Sequence, residues 1–175
     1  MLRVDHAGEA AAVAIYEGQA FVLRGTPAAP LLAHMREGEV AHLKTLDGLL
    51  AARRVRPSLL LPLWRAAGFA LGAASALLGT RSAMAATVSV ETAISGHYNA
   101  QVRELLAGPG GGGGGGHAEP GDAELVAVFA QHRDEEVAHH DTAVAEGARD
   151  APGFAAQDVV IRGGCAAAIQ VASVV

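Results

Sequence analysis

The 175-residue sequence predicts an all-α protein built from a bundle of long helices. Two features support this prediction. Apolar residues make up 51% of the chain, with Ala and Leu heavily used, and the alternating pattern of β-branched residues that is typical of strands is scarce. Proline and glycine also divide the chain into long segments. A chain of this length can bury one real core, so we expect a single domain over residues 1–175.

The predicted elements follow this punctuation. The first helix has no internal proline and ends at the triplet GTP, and the second ends before Pro57. The third segment is apolar, but its longest uncharged run, 66–80, is shorter than the roughly 18 residues that a membrane span needs. In order, the elements are helices at 4–24 and 30–54, an apolar segment at 58–80, helices at 81–107 and 122–147, and an apolar segment that reaches residue 175.

A glycine-rich stretch separates the last two of these helices, and we interpret it as a flexible linker over about residues 108–121. Its run Gly110–Gly116 has no side chains to bury and would lose much backbone entropy on ordering. No strand leads into the run and no Lys-Ser or Lys-Thr pair follows it, so it does not match a phosphate-binding loop.

Charge and cysteine content narrow the possible functions. The formal net charge is −5 and no basic block is present, which argues against nucleic acid as a partner. Cys165 is the only cysteine, so an internal disulfide and a cysteine-based metal cluster are both excluded. We interpret Cys165 as a small, buried or half-buried apolar residue.

The motif EVAH occurs twice, once in the second helix and once in the helix that follows the glycine run. It places Glu39 with His42, and Glu136 with His139. Residues three apart lie on one face of a helix, one turn apart. Each motif therefore directs a carboxylate and an imidazole to the same side.

A second pattern, Glu-x6-Tyr-x2-Gln, precedes each EVAH helix. The residues on the faces of its two glutamates are otherwise uncharged, which indicates that these carboxylates point into the core. The two halves of the chain therefore look like copies of one helical hairpin, whose equivalent residues meet near the axis of a pseudo-symmetric four-helix bundle. The residues of the pattern are Glu9, Tyr16 and Gln19 in the first copy, and Glu91, Tyr98 and Gln101 in the second.

Four inward carboxylates would be prohibitively costly unless cations offset their charge. Two divalent cations would do so, with one imidazole for each. This oxygen-rich set suits non-haem iron or manganese better than structural zinc, and one Glu from each of two helices with Glu-x-x-His from each of two others is the di-iron carboxylate pattern. The alternative is a duplicated hairpin with solvated surface pairs. The predicted ligands are Glu9, Glu39, His42, Glu91, Glu136 and His139.

Polar residues beside the predicted ligands are not themselves expected to bind metal. Glu37 and Glu135 flank the two motifs and are expected to be solvated, or to support a ligand by a hydrogen bond. His140 is rotated by about 100° from its neighbour around the helix and is not expected to bind metal. Asp5 is expected to cap the first helix, although Asp5 or His6 could also support the first ligand by hydrogen bonding.

Three further histidines and the two tyrosines also require an interpretation. His34, His117 and His132 belong to no motif and are expected at the surface. Tyr16 and Tyr98 are each either a core aromatic residue or a hydrogen-bond partner of a ligand or substrate.

Five stretches together resemble the demethoxyubiquinone hydroxylases of ubiquinone biosynthesis: RVDHAGE, RVRPSLLLPLW, GFALGAASALLG, VSVETAISGHYNAQ and RDEEVAHHD. The resemblance extends from Arg3 to about Cys165. It implies a ferritin-like four-helix bundle with a di-iron centre, and it places the family's ligands on the six residues identified by spacing. It also aligns a His-Tyr pair with His97 and Tyr98, which become candidate catalytic residues.

The chain departs from the family in two places. The glycine-rich insert replaces a stretch that is usually charged and helix-forming, and the segment DHAGEAAA lacks the Tyr that commonly follows the first Glu. The insert lies away from the predicted ligands, so we expect it to affect local order and not chemistry, and we expect the loss of the Tyr to be tolerated.

The resemblance implies O2-dependent hydroxylation of a demethoxyubiquinol ring by an enzyme with two iron ions. A polyprenyl tail on that substrate would explain the apolar segment 58–79, whose Trp64 and lone Arg65 are typical of a helix lying at a bilayer interface. Segment 159–175 is a second candidate for a membrane or partner surface. We expect additional apolar, membrane-facing helices that bind peripherally; the alternative for 58–79 is a buried packing helix.

The expected location is the matrix side of the mitochondrial inner membrane, or the cytoplasmic side of a bacterial membrane. Expected partners are the quinol, O2, a lipid-binding protein of a ubiquinone-biosynthesis complex and a second copy of the chain. Three other functions share much of the pattern: a ferritin-like iron-oxidising or storage protein, a di-iron quinol oxidase that reduces O2 to water, and a non-catalytic helical scaffold.

Overall fold

A computed structural model describes residues 1–108 and 120–174 of the chain, and these residues form helices and connecting turns without strands. The all-α prediction is therefore confirmed for the described residues. The helices are α1 (Leu2–Val22), α2 (Ala29–Arg53), α3 (Leu61–Leu77), α4 (Thr80–Ala107), α5 (Pro120–Ala145) and α6 (Phe154–Val174), with a 3₁₀ turn at Ala148–Asp150 before α6.

The observed boundaries follow local chemistry. Prolines stand in the first turns of α2 and α3, where the missing N–H costs nothing. The apolar segment predicted from residue 58 becomes helical only at Leu61, because the Ser58 hydroxyl accepts hydrogen bonds from the Leu60 N–H and from the Trp64 indole. Gly79 joins α3 to α4 with φ of 105°, a conformation that favours glycine.

The predicted capping role of Asp5 is wrong. Helix α1 begins at Leu2, so Asp5 lies inside its first turns, and its side chain is fully buried. One carboxylate oxygen of Asp5 accepts a hydrogen bond from the Gln101 amide at 2.7 Å. Tertiary packing against α4 therefore uses a residue whose type suggested a helix start.

Helices α1 and α2 pack together as one hairpin, and α4 and α5 as another. Their buried residues form two large apolar clusters, one towards each end of these four helices. One cluster contains Leu32 and Met84, and the other contains Leu46 and Phe129. Polar side chains from all four helices lie between the clusters, so the apolar ends frame a polar layer.

Helices α3 and α6 lie outside this arrangement. Helix α3 packs closely on α1 because glycines line the contact: a Cβ at Gly68 would lie 2.4 Å from the Ala11 carbonyl oxygen. Some of its large side chains remain exposed: Leu63 is 55% exposed, and Leu59, just before α3, is 83% exposed. Helix α6 packs on α4 and α1, and its Val160 is also exposed. Among the described residues, no helix combines the length and apolar character that crossing a bilayer requires.

The predicted glycine-rich linker at about 108–121 falls mainly on residues 109–119, which lie outside the described residues. The single-domain interpretation over residues 1–175 stays a prediction.

Candidate metal centre

The six residues predicted as ligands converge between the two apolar clusters. They form two overlapping groups in which one ligand atom from each residue lies within 4.8 Å of the others, and His132 forms a further group of this kind with Glu9 and His42. The two groups of predicted ligands share Glu39 and Glu136, so these two carboxylates lie between the two positions. The first group is Glu9, Glu39, His42 and Glu136; the second is Glu39, Glu91, Glu136 and His139.

The ligand atoms themselves are buried without hydrogen bonds. Both carboxylate oxygens of Glu39 and of Glu136, and the Nδ1 atoms of His42 and His139, have no hydrogen-bond partner. One oxygen each of Glu9 and Glu91 is also unpartnered, and all four glutamates are at most 1% exposed. Buried polar atoms are rarely left so, because desolvation then has no compensation. Divalent cations would satisfy all of these atoms at once, so the residues fit a pair of metal ions.

Protons on the two imidazoles offset part of the charge of the four carboxylates. His139 Nδ1 lies 2.8 Å from Glu39, and His42 Nδ1 lies 3.1 Å from Glu136. Burial lowers the pKa of His139, but the adjacent Glu136 and Glu39 carboxylates outweigh it and raise this pKa to about 9. The pKa of His42 is raised further by the same kind of contacts. A bound cation would take the place of these protons.

The remaining oxygens of Glu9 and Glu91 are held by tyrosines from the opposite helix. The Tyr16 hydroxyl on α1 donates to Glu91 Oε1 at 2.7 Å, and the Tyr98 hydroxyl on α4 donates to Glu9 Oε1. Burial and the neighbouring carboxylates raise the pKa of both tyrosines, so they remain protonated donors. Both interpretations of these tyrosines therefore hold, because each is buried in an apolar cluster and donates a hydrogen bond to a predicted ligand.

The residues flanking the motifs take different roles. Glu135 Oε2 lies 2.5 Å from His42 Nε2. A carboxylate can only accept, so Nε2 carries the hydrogen and Nδ1 faces Glu9, Glu39 and Glu136. Glu135 thus supports a predicted ligand, whereas Glu37 is exposed. His140 bonds to Asp141 and belongs to neither group.

The prediction that His132 lies at the surface is wrong. His132 is 3% exposed, and its ring stacks on that of His42 with centroids 4.2 Å apart. Its Nδ1 lies 3.2 Å from the Tyr98 hydroxyl. Burial lowers its pKa to about 4, so it is neutral. The signal was present in the sequence, because His132 precedes Glu136 by four residues and shares its helix face.

The prediction of a surface position also covered His34 and His117. His34 is exposed, as predicted, and His117 lies outside the described residues.

His97 lies beside the centre and not within it. Its Nε2 is 3.1 Å from Asp5 Oδ1 and 2.9 Å from the Gln101 amide. It belongs to neither ligand group, and its side chain is 25% exposed. His6 contacts Asp47 at 2.9 Å. The two residues considered as supports for the first ligand, Asp5 and His6, therefore bond to other side chains.

An apolar cavity of about 100 Å³ lies between α1, α3, α4 and α6 and is partly open to solvent. Its walls include Gly8 and Val90, the chain neighbours of Glu9 and Glu91. Trp64 closes the side formed by α3. Cys165 is a half-buried part of the wall, which confirms its interpretation as an apolar residue, and burial raises the pKa of its thiol.

A family model and several known proteins are similar in sequence to this chain. The family model described as ubiquinone biosynthesis protein COQ7 matches residues 1–172. The mouse NADPH-dependent 3-demethoxyubiquinone 3-hydroxylase, mitochondrial, is 46% identical over 170 residues, which cover 97% of this chain and 74% of the mouse protein. The 3-demethoxyubiquinol 3-hydroxylase of Rhodospirillum rubrum is 46% identical over 173 residues, with the same coverage. The yeast 5-demethoxyubiquinone hydroxylase, mitochondrial, is 44% identical over 148 residues, covering 82% of this chain and 64% of the yeast protein.

Proposed function

Because the chain belongs to the ubiquinone biosynthesis protein COQ7 family, we propose that it uses O2 to hydroxylate the ring of a demethoxyubiquinol. Relatives from a mammal, a bacterium and a yeast carry hydroxylase names, and each aligns with most of the chain. The observation that carries the proposal is the set of eight buried carboxylate and imidazole atoms without hydrogen bonds, which a pair of cations would satisfy.

The proposed cofactor is a pair of iron ions in a ferritin-like bundle. Four carboxylates and two imidazoles, with no thiolate, form a donor set that favours a redox-active divalent ion over structural zinc. When bound, the iron pair supplies the redox chemistry for O2 activation. Glu39 and Glu136 would contact both ions. The full proposed set is Glu9, Glu39, His42, Glu91, Glu136 and His139.

The chain's own residues fix this set in place. Tyr98 donates a hydrogen bond to one oxygen of Glu9, and Tyr16 donates one to an oxygen of Glu91. The other oxygen of each glutamate remains directed at the centre. We therefore propose that Tyr98 acts as a positioning residue for Glu9. His97 would act more indirectly, through the Asp5–Gln101 hydrogen bonds that join α1 to α4.

The apolar cavity is the proposed binding region for the substrate ring and the start of its polyprenyl tail. Its lining residues Gly8 and Val90 precede Glu9 and Glu91 in the chain, so a ring bound there would lie against the helices that carry these two glutamates. Its apolar walls exclude water from the reacting region. Exposed apolar residues at the end of α3 and on α6, such as Leu78 and Val160, line one groove, and we propose that they rest on the membrane that holds the tail.

The proposed location is peripheral, on the matrix side of the mitochondrial inner membrane or the cytoplasmic side of a bacterial membrane. Mitochondrial and bacterial relatives support the two settings respectively. A lipid-binding protein of the ubiquinone-biosynthesis complex is the proposed partner for substrate delivery, and a second copy of the chain is a further one.

Replacing Leu59 and Leu63 together by glutamine is expected to weaken membrane binding at least about tenfold, because each exposed leucine would contribute about 1.5–3 kcal/mol when buried in lipid. Co-sedimentation with phosphatidylcholine vesicles measures this loss. Leu106→Gln, at an exposed leucine of α4, is the matched control and should bind as the unaltered protein does. Equal binding by the double variant would contradict the proposed membrane surface.

The reaction itself is tested with the purified chain, Fe²⁺, a chemical reductant, demethoxyubiquinol and ¹⁸O-labelled O2. A hydroxylated quinol carrying one labelled oxygen is the expected product. Formation of labelled water alone would point to a quinol oxidase, and iron oxidation without quinol turnover to a ferritin-like protein. If the purified chain bound no iron, the non-catalytic helical scaffold would be the remaining alternative function.

A further inference from the structure

The two halves of the metal centre differ at the residue directly before each Glu-x-x-His motif. Glu135 takes this position in α5, and Gly38 takes it in α2. Each faces the imidazole of the opposite half. Glu135 bonds His42 Nε2 at 2.5 Å, whereas a Cβ built on Gly38 would lie 3.1 Å from His139 Nε2. His139 Nε2 therefore lies over a backbone position that offers no side chain, and none of the hydrogen bonds within 1–108 and 120–174 reaches it.

The packing also holds the His42 imidazole more firmly than the His139 imidazole. His132 stacks on the His42 ring at 4.2 Å, and the His42 side chain is 3% exposed. Met35 takes the position in α2 that His132 has in α5. His139 instead meets the edge of Tyr16 at a centroid distance of 6.1 Å, and its side chain is 16% exposed. One imidazole is thus fixed from two sides, and the other borders solvent.

We propose that the two metal positions bind with unequal affinity, and that Glu135 is the positioning residue that makes the His42 position the tighter one. The inference rests on the proposed metal centre. A ligating imidazole whose second nitrogen donates to a carboxylate is held in one tautomer and orientation and is a more basic ligand. Loss of such a partner typically lowers metal affinity about 10–100-fold, so we expect the two stepwise dissociation constants to differ by about that factor.

Titration of the metal-free full chain with Co²⁺, followed by calorimetry and by visible absorption, measures the two steps separately. The unaltered chain should bind in two resolved steps. Glu135→Ala should weaken the first step about 10–100-fold, so that the two steps merge. Glu135→Gln, whose amide oxygen still accepts from His42, should recover most of the loss.

Two further variants test whether the effect of Glu135 on metal affinity comes from its contact with His42, and not from its charge or from damage to the fold. Gly38→Ala crowds His139 at 3.1 Å and should weaken only the second step. Glu37→Ala removes an exposed carboxylate near the other motif without touching an imidazole, and should leave both steps unchanged. Circular dichroism of each metal-free variant checks that the helices are retained.

The outcomes distinguish this inference from the proposed function. Failure of the unaltered chain to bind Co²⁺ would overturn the metal centre itself. Two ions bound with equal affinity, or an unchanged first step in Glu135→Ala, would overturn the inequality alone and leave the metal centre standing.

Discussion

Replacement of Glu136 by alanine is expected to reduce quinol hydroxylation at least about 100-fold, because this carboxylate is shared by both ligand groups. Cells that carry the variant should accumulate the demethoxy precursor and lose the hydroxylated quinone, which mass spectrometry of extracted quinones measures directly. The purified variant should also hold fewer than about one iron ion per chain, since both positions lose a ligand.

The fold of this variant should survive, because Glu136 contributes two unpartnered buried oxygens whose burial is unfavourable without a cation. Far-UV circular dichroism of the metal-free proteins should therefore be unchanged. Glu104→Ala, at an exposed glutamate of α4, is the matched control and should retain both iron and turnover. Normal quinone hydroxylation by Glu136→Ala would contradict the proposed role of the residue.

The sequence was sufficient to predict the helices and the residues that converge, because both depend on short-range geometry. Spacing of three along a helix fixes which side chains share a face, and the duplicated pattern indicates that two such faces meet. The structure does bring Glu9, Glu91 and both EVAH motifs together. Their role as metal ligands stays a proposal. The resemblance to demethoxyubiquinone hydroxylases, drawn from the five quoted stretches, is confirmed by the family match over residues 1–172.

Features that depend on contacts between helices were not predictable in the same way. Asp5 has a residue type favoured at helix starts, yet the packing of α1 on α4 buries it against Gln101. His132 was assigned to the surface because it belongs to no motif, although its spacing from Glu136 indicates the core face. The crossed tyrosine hydrogen bonds require knowledge of which helices lie opposite one another, which a single sequence does not specify.

The apolar segment 58–79 illustrates how one pattern can serve two environments. Packing on α1 uses its small residues, including Gly68 and Gly72, and leaves larger side chains such as Leu63 exposed. The small-residue face of α3 agrees with the interpretation as a packing helix, and its exposed apolar face is the one that we propose to meet a membrane. Hydropathy alone could not separate them, because it averages over both faces.

Substitution of Gly72 by alanine is expected to destabilise the protein by at least about 3 kcal/mol, which corresponds to a fall in Tm of about 6–12 °C for a chain of this size. The added Cβ would lie 1.9 Å from the Ile15 carbonyl oxygen and 2.8 Å from its carbon. Both atoms belong to the backbone of α1 and cannot rotate away. Alanine gains about 1 kcal/mol over glycine in helix propensity, which is too little to offset this overlap. Thermal unfolding followed by circular dichroism measures the difference.

Gly48→Ala is the control for this substitution, because Gly48 lies within α2 and an added Cβ there meets no atom within 4 Å. It should leave Tm unchanged or raise it slightly, through helix propensity alone. The clash in Gly72→Ala would push α3 away from α1, and with it Trp64, which lines the proposed substrate cavity. Hydroxylation should therefore fall together with stability. A Tm for Gly72→Ala equal to that of Gly48→Ala would show that α3 is not held on α1 by this close contact.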